Sequence, residues 1–206
     1  MDKAENMMPS AGSPTALHTN ADWEAIREWR KQARTRLIQQ RIGISAPDRA
    51  AWSERISRAL AEALGSCGAQ LIGLYWPFRG EYDPRDLMAT LRDQGTRLAL
   101  PVIVARGQPL IFREWQPGSL MTQGVWNVPM PESGEAVLPN LLVVPLVGFD
   151  AQGYRLGYGG GFYDRTIAAM TTKPRTIGVG FALGRLETIY PQPHDIALDN
   201  VITEEN

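Results

Sequence analysis

Residues 140–147 read NLLVVPLV, and residues 155–165 read RLGYGGGFYDR. The first stretch is a continuous apolar run, which is typical of a central parallel strand covered on both faces. Outward from it, strand-like runs at 70–75, 98–104 and 176–181 alternate with helical segments at 84–94 and from the glycines to about Met170. Strands separated by helices predict a single three-layer α/β domain with a mostly parallel central sheet.

The N-terminal half contributes two further predicted helices and a hairpin. Residues 22–41 carry an apolar stripe, with Asp22 as the expected N-cap. A second helix is expected over 48–64, because Pro47 suits a helix start and Gly65 a helix end. Residues 110–114 follow a turn after the strand at 98–104, so we expect the two segments to pair as a hairpin.

The first twenty residues differ from the rest of the chain. Residues 1–20 mix Ser, Pro, Gly, Thr and Asn without hydrophobic periodicity, which predicts a flexible arm. We therefore place one α/β domain at 21–206.

The composition narrows the class of protein. The 206 residues carry a formal net charge of −1, so we expect neither nucleic acid nor a membrane as a partner. Cys67 is the only cysteine, which excludes an internal disulfide and the Cys clusters of structural zinc sites. The sequence shows no secretory signal or bilayer-length apolar run, so we expect a cytoplasmic protein; its oligomeric state is unknown.

The glycine-rich stretch is the strongest candidate for a phosphate site. Glycines at 157, 159, 160 and 161 let backbone N–H groups approach an anion, and the start of the following helix favours negative charge. Asp164 offers the oxygen ligand that Mg²⁺ prefers, and Arg155 and Arg165 could neutralise charge during phosphoryl transfer. The alternative is a plain turn followed by an exposed carboxylate in a first helical turn. The stretch matches neither the P-loop nor the dinucleotide fingerprint, so spacing alone does not name the nucleotide.

Three arginines share one side of the first predicted helix. At 100° per residue, Arg30, Arg34 and Arg41 project within about 40° of one another, beside the apolar stripe. Their guanidinium groups could reach triphosphate oxygens at the rim of the core. The alternative is a solvated basic face.

Residues 144–150 and 153–165 together resemble the hallmark segment of the 5-formyltetrahydrofolate cyclo-ligase family, also called methenyltetrahydrofolate synthetases. Shorter stretches at 30–34, 75–83, 126–131 and 193–196 resemble other family segments in the same order. The resemblance covers nearly the whole chain after the arm.

The resemblance implies an enzyme that converts N5-formyltetrahydrofolate to the N5,N10-methenyl form, with ATP hydrolysed to ADP and phosphate and Mg²⁺ bound. It implies catalytic roles for Arg155, Tyr163 and Asp164, with Asp164 also holding the metal. The residues it implies for ATP are Arg30, Arg34, Gly157, Tyr158, Gly159, Gly160, Gly161, Phe162 and Arg165, and those for the reduced formylfolate are Glu81, Trp126 and Tyr163. The family commonly has Lys at position 30 and often Tyr at 162, so the contacts of these two residues differ here.

Several of these roles have alternatives. Glu81 could cap the helix that begins near Pro84, and Trp126 could serve in core or lid packing. His194 is expected to be structural, and Asp150 a turn residue. For the whole chain, the alternatives are a paralogue with another substrate and a nucleotide- or folate-binding module without turnover.

Overall fold

A computed structural model of the protein describes residues 20–66 and 68–206. Nearly all of the predicted arm at 1–20 lies outside the described residues, as does Cys67. The described residues form four α-helices, which are α1 (Asn20–Ile42), α2 (Ala46–Gly65), α3 (Arg85–Asp93) and α4 (Phe162–Ala169).

Eleven strands are present in the described residues. They are β1 (Leu71–Gly73), β2 (Arg97–Val102), β3 (Ile111–Trp115), β4 (Met121–Gln123), β5 (Pro129–Pro131), β6 (Ala136–Val137), β7 (Leu141–Pro145), β8 (Gly148–Phe149), β9 (Arg155–Leu156), β10 (Arg175–Val179) and β11 (Asn200–Ile202). Seven form one sheet in the order β11-β10-β7-β1-β2-β3-β6, and its first five strands run parallel. The strands β3 and β6 add antiparallel pairs at one edge. This confirms the central parallel strand at 141–145 and the hairpin partner of β2.

The side chains of β7 show why the domain has three layers. Leu141 and Val143 face a core cluster that contains residues of α2 and α3. Leu142 and Val144 face the opposite cluster, which contains Ile167 of α4. Because successive strand side chains point to opposite faces, the apolar run fills both cores. The three-layer α/β prediction is confirmed.

Two predicted helix starts were wrong by a few residues. α1 begins at Asn20, so Asp22 lies in its first turn instead of serving as its N-cap. α2 begins at Ala46, because the Ser45 hydroxyl accepts a hydrogen bond from the backbone N–H of Asp48 and caps the helix. Pro47 is accommodated in the first turn, where no intrahelical N–H is needed.

The turn between β8 and β9 fixes where the glycine-rich stretch begins. The buried Asp150 carboxylate accepts hydrogen bonds from the backbone N–H groups of Gln152, Tyr154 and Ile189. These contacts support the prediction that Asp150 is a turn residue. α1 packs across the same region, since Ala33 shares a small core with Leu156 and Ile189.

Gly153→Ala is expected to be strongly destabilising, because Gly153 combines a positive φ of 83° with close packing. A Cβ at this position would lie 2.6 Å from the Leu198 carbonyl oxygen, so strain and overlap add to a cost of about 3 kcal/mol or more. Gly107→Ala is the matched control, since Gly107 has φ 79° and nothing within 4 Å of its missing Cβ. Denaturant unfolding should show the larger loss for Gly153→Ala; equal losses would contradict the packing argument.

Candidate active site

A cavity of about 590 Å³ opens where β1, β2 and β7 end, between α1 and the glycine-rich stretch. This is the edge at which open parallel sheets bind their ligands. Except for Arg41 and Arg165, every residue that the sequence assigned to the site lines this cavity: Arg30, Arg34, Glu81, Trp126, Arg155, Gly157, Tyr158, Gly159, Gly160, Gly161, Phe162, Tyr163 and Asp164.

The glycine-rich stretch forms a loop, residues 157–161, that leads into α4. Gly159 and Gly161 have φ of 89° and 61°, a conformation that favours glycine. The Arg34 Nε donates a 2.8 Å hydrogen bond to the Gly157 carbonyl, and the missing Cβ of Gly159 would lie 3.5 Å from the Arg34 Cζ. The loop therefore presents backbone and a cation together at the start of a helix, which suits an anion.

Arg30 and Arg34 lie on the same face of α1 but are held differently. The buried Arg30 pairs with Asp195 at 2.5 Å and also donates to the carbonyls of Ile189 and Tyr190. Arg34 is half-buried, and its pKa is lowered by burial and then by the positive charge of Arg30. Most of the hydrogen-bonding capacity of Arg30 is thus used within the protein, and Arg34 is the better placed of the two to contact an anion.

Arg155 and Asp164 form an ion pair in the cavity wall. The Arg155 Nη2 lies 3.2 Å from the Asp164 Oδ2, and both residues also bond to the backbone of Ile196. The Asp164 side chain is 18% exposed, so its carboxylate remains accessible from the cavity. Within 20–66 and 68–206 no group of three or more His, Cys, Asp or Glu could enclose a metal ion. A single accessible carboxylate still fits Mg²⁺, which commonly takes one or two carboxylates together with phosphate oxygens and water.

Two of the arginines predicted to contact phosphate do not line the cavity. Arg165 does not line the cavity, because its Nη2 donates to the Gly160 carbonyl and its guanidinium lies over the Phe162 ring. Arg41 is turned inward and is 3% exposed, with hydrogen bonds to the carbonyls of Leu146 and Arg79. Helical projection placed Arg41 near the site, and the glycine-rich stretch placed Arg165 there. Neither pattern shows which acceptors the two guanidinium groups meet.

Glu81 is a buried carboxylate that lines the cavity. Its Oε2 accepts from the Phe78 N–H at 2.9 Å, and its Oε1 accepts from the Tyr158 hydroxyl at 3.0 Å. Burial raises the pKa of Glu81 to about 7, although the nearby charge of Arg41 and these two hydrogen bonds act to lower it. Glu81 does not cap α3, which has no side-chain cap. Its oxygens are thus arranged to meet N–H groups of a ligand.

Tyr163 places a hydroxyl in the same wall. This hydroxyl is buried and has no hydrogen-bond partner among the described residues. Burial, followed by the negative charge of Glu81, raises the pKa of Tyr163 well above its usual value, so the hydroxyl keeps its proton. A buried unpaired hydroxyl is costly unless a ligand supplies a partner, so Tyr163 is suited to donate to a bound molecule.

Trp126 also lines the cavity. It occupies a turn of 3-10 helix, Val125–Asn127, between β4 and β5, with φ of 59°. Its side chain is half-exposed and meets the Phe162 ring edge-on at a centroid distance of 6.2 Å. An exposed indole in a strained backbone is available to stack on a flat ligand.

Comparison with known proteins identifies the family. Residues 26–204 match the model of the 5-formyltetrahydrofolate cyclo-ligase family. The chain belongs to this family. A 5-formyltetrahydrofolate cyclo-ligase of Mycolicibacterium smegmatis is 32% identical over 187 residues, covering 84% of this chain and 93% of the relative. One from Haemophilus influenzae is 28% identical over 180 residues, covering 84% and 96%.

Solved structures agree with the cyclo-ligase assignment. The NMR structure of a 5,10-methenyltetrahydrofolate synthetase from Aquifex aeolicus superposes with a TM-score of 0.74 at 27% identity, covering 86% of this chain and 90% of that one. A methenyltetrahydrofolate synthetase from Mycoplasma pneumoniae shares the fold, with a TM-score of 0.71 at 22% identity and coverage of 85% and 98%. The predicted family, fold and enzyme class are therefore confirmed. No helix in the described part of the chain is long and apolar enough to cross a membrane.

The cyclo-ligase cavity also contains residues to which the sequence gave no site role. Asp195 lines it and anchors Arg30 from 165 positions away in the chain. Trp23 and Arg27 continue the cavity face of α1 beyond Arg30. His194 is a lining residue with a 71% exposed side chain, so it is not a core histidine. The resemblance at 193–196 was the available signal for Asp195 and His194, and helical spacing from Arg30 was the signal for Trp23 and Arg27.

Proposed function

We propose that this chain catalyses the ATP-dependent cyclisation of 5-formyltetrahydrofolate to 5,10-methenyltetrahydrofolate, releasing ADP and phosphate. The observation that carries the proposal is the meeting of two sets of groups in one cavity. The glycine loop, Arg34 and Asp164 suit a triphosphate, and Glu81, Tyr163 and Trp126 suit a flat molecule with N–H and carbonyl groups. Family membership supports the same reaction.

The chemistry explains why a nucleotide and a folate need to share the cavity. A formamide oxygen is a poor leaving group, so the formyl oxygen first takes the γ-phosphoryl group of ATP while ADP departs. N10 then bonds to the formyl carbon, the carbon–oxygen bond breaks with release of phosphate, and N10 loses its proton. Because the transferring group requires little covalent help, catalysis consists mainly of alignment and charge stabilisation.

The nucleotide side assigns a task to each group. Backbone N–H groups of 157–161 and the guanidinium of Arg34 hold the phosphate chain. Arg155, oriented by Asp164, faces the charge that develops on the transferring group. Asp164 would hold Mg²⁺, which when bound neutralises phosphate oxygens. Arg30 supports this face through Asp195.

The folate side assigns the complementary tasks. The Glu81 carboxylate accepts hydrogen bonds from the N–H groups of the reduced pterin. The Tyr163 hydroxyl donates to a carbonyl or phosphate oxygen, which gives this buried group its partner. Trp126 stacks on the pterin or the attached aromatic ring. Phe162 packs against Trp126 without supplying a hydroxyl.

The test is the ATP-dependent appearance of the methenyl chromophore when purified protein is mixed with 5-formyltetrahydrofolate and Mg²⁺. We expect one ADP per methenyl product, and no product without ATP. A paralogue would bind ATP but leave formylfolate unchanged. A binding module would bind nucleotide or folate without ADP release. Either result would contradict the proposal. The cytoplasmic location and the absence of nucleic-acid or membrane partners stay predictions.

Arg34→Ala is expected to raise the KM for ATP by about 10- to 100-fold, since a charge-assisted phosphate contact is worth about 1.5–3 kcal/mol. Arg36→Ala is the matched control, because Arg36 is exposed on α1 and does not line the cavity. Steady-state kinetics with varied ATP would measure both. Equal KM values in the two variants would remove Arg34 from the nucleotide site.

A further inference from the structure

Arg41 is a buried cation that the reaction described above does not use. Arg41 is 3% exposed, and its guanidinium donates from all three nitrogens. Nε bonds to the Arg79 carbonyl at 3.1 Å, and Nη1 bonds to the Leu146 carbonyl at 2.9 Å. These two contacts tie α1 to the segments that follow β1 and β7. Nη2 instead points to a side chain, the hydroxyl of Tyr158, at 2.6 Å.

Tyr158 links Arg41 to the cavity. Its hydroxyl accepts from Arg41 and lies 3.0 Å from the Glu81 Oε1, closer than its 3.3 Å distance to a second acceptor, the Phe78 carbonyl. A phenolic hydroxyl can accept one hydrogen bond while donating another, so donation from Arg41 polarises the proton that Tyr158 offers to Glu81. The Phe78 N–H holds the other carboxylate oxygen. Glu81 is therefore held by the Phe78 N–H and by the Tyr158 hydroxyl, which is itself bound to the buried Arg41.

We propose that Arg41 is a positioning residue for the folate side of the active site, acting through Tyr158 to hold the Glu81 carboxylate in place for its ligand. The inference rests on the proposed role of Glu81 as a folate-binding group. It assigns a substrate-side task to a residue that does not line the cavity and that contacts the glycine loop through Tyr158.

The charges around Glu81 support this role. The groups that face it are Arg41 from α1, Tyr158 from the glycine loop, Tyr75 after β1 and Tyr163 from α4. Arg41 is the one cation among these groups, and its charge acts to lower the pKa of Glu81. Breaking the link should therefore raise the pKa of Glu81 and loosen its carboxylate.

Arg49 supplies a matched comparison. It also lies behind the cavity wall, donating to the Gly80 carbonyl at 2.6 Å and to the Arg41 carbonyl at 2.5 Å. Its hydrogen bonds end on backbone and do not reach Glu81. An Arg49→Gln variant thus removes a neighbouring cation and two structural contacts while leaving the Arg41–Tyr158–Glu81 chain in place.

The test compares Tyr158→Phe, Arg41→Gln, Arg41→Lys and Arg49→Gln with the wild type. Titration of the Glu81 carboxyl carbon by ¹³C NMR should show its midpoint moving to higher pH by about one pH unit in Tyr158→Phe and Arg41→Gln. Arg41→Lys should restore most of the wild-type midpoint, and Arg49→Gln should keep it. Tyr158→Phe preserves the backbone contacts of Arg41, so it decides the question even if Arg41→Gln does not fold.

Kinetics provide the second readout. The pH profile of kcat/KM for 5-formyltetrahydrofolate should shift in the same direction in Tyr158→Phe and Arg41→Gln. In Arg41→Gln, whose residue does not line the cavity, the KM for ATP should change less than twofold. An unchanged Glu81 midpoint in Tyr158→Phe would overturn the proposal, whatever the activity. If the midpoint shifts in Tyr158→Phe but the wild-type protein shows no cyclo-ligase turnover, the link from Arg41 to Glu81 is supported and the proposed function is contradicted.

Discussion

Asp164→Asn is expected to lower kcat by about 10²- to 10³-fold, as the loss of one preorganised electrostatic group commonly does. The substitution keeps an oxygen that can accept from the Ile196 N–H but removes the negative charge beside Arg155. It also removes the only carboxylate we assign to Mg²⁺. The Mg²⁺ concentration for half-maximal turnover should rise in the same variant. Turnover at varied Mg²⁺ and saturating ATP measures both effects.

A stability control is needed because Arg155 is only 4% exposed and loses its ion partner in this variant. Asp199→Asn is matched, since Asp199 also accepts from a backbone N–H, that of Thr176, but lies outside the cavity. We expect both variants to lose stability, and only Asp164→Asn to lose turnover and Mg²⁺ response below its melting temperature. If the two variants lose stability and turnover in the same proportion, the metal and catalytic roles of Asp164 are wrong.

Glu81→Gln is expected to lower kcat/KM for 5-formyltetrahydrofolate by about 10- to 100-fold, because hydrogen bonds to a charged acceptor are worth about 1.5–3 kcal/mol. The same change should stabilise the fold at neutral pH. The pKa of Glu81 is raised from 4.5 to about 7 in the folded protein. Between these values the folded state binds more protons than the unfolded state, so stability falls as pH rises from about 4.5 to about 7.

Glu81→Gln removes the ionisable group, so the variant does not lose this stability as pH rises. The glutamine amide can accept from the Phe78 N–H and donate to the Tyr158 hydroxyl, so the local contacts survive. Relative to the wild type, the Gln variant should gain on the order of 3 kcal/mol between pH 4 and pH 8. Urea unfolding of both proteins at the two pH values measures the gain. A stability difference that does not vary with pH would contradict a buried, ionisable Glu81.

The sequence was sufficient for the parts of the fold that depend on local pattern. The apolar run at 141–145 gives the central strand because a short run that is apolar on both faces suits a parallel strand covered by helices on both sides. The glycines at 157–161 give a loop before α4. The predicted start of α2 was wrong because it relied on Pro47, whereas the Ser45 hydroxyl caps the helix and α2 begins at Ala46. The capping hydrogen bond of Ser45 fixes the start of the helix, and Pro47 only has to fit its first turn.

The roles of individual arginines could not be read from the sequence. Arg41 and Arg30 share a helix face, yet Arg41 bonds to the Leu146 carbonyl after β7 and Arg30 pairs with Asp195 near the C-terminus. These partners are 105 and 165 residues away. Helical spacing fixes the direction of a side chain, whereas its acceptor depends on how distant segments pack. Arg165 was assigned to phosphate because it follows the glycine-rich stretch, and this pattern does not show that its guanidinium turns back to the Gly160 carbonyl.

The most direct test of the account is a crystal structure of the protein with a non-hydrolysable ATP analogue, Mg²⁺ and 5-formyltetrahydrofolate. We expect the γ-phosphate to lie against the backbone N–H groups of 157–161 and within hydrogen-bonding distance of Arg34, and the pterin to contact Glu81. Phosphates located outside this loop, or a pterin that does not contact Glu81, would contradict it.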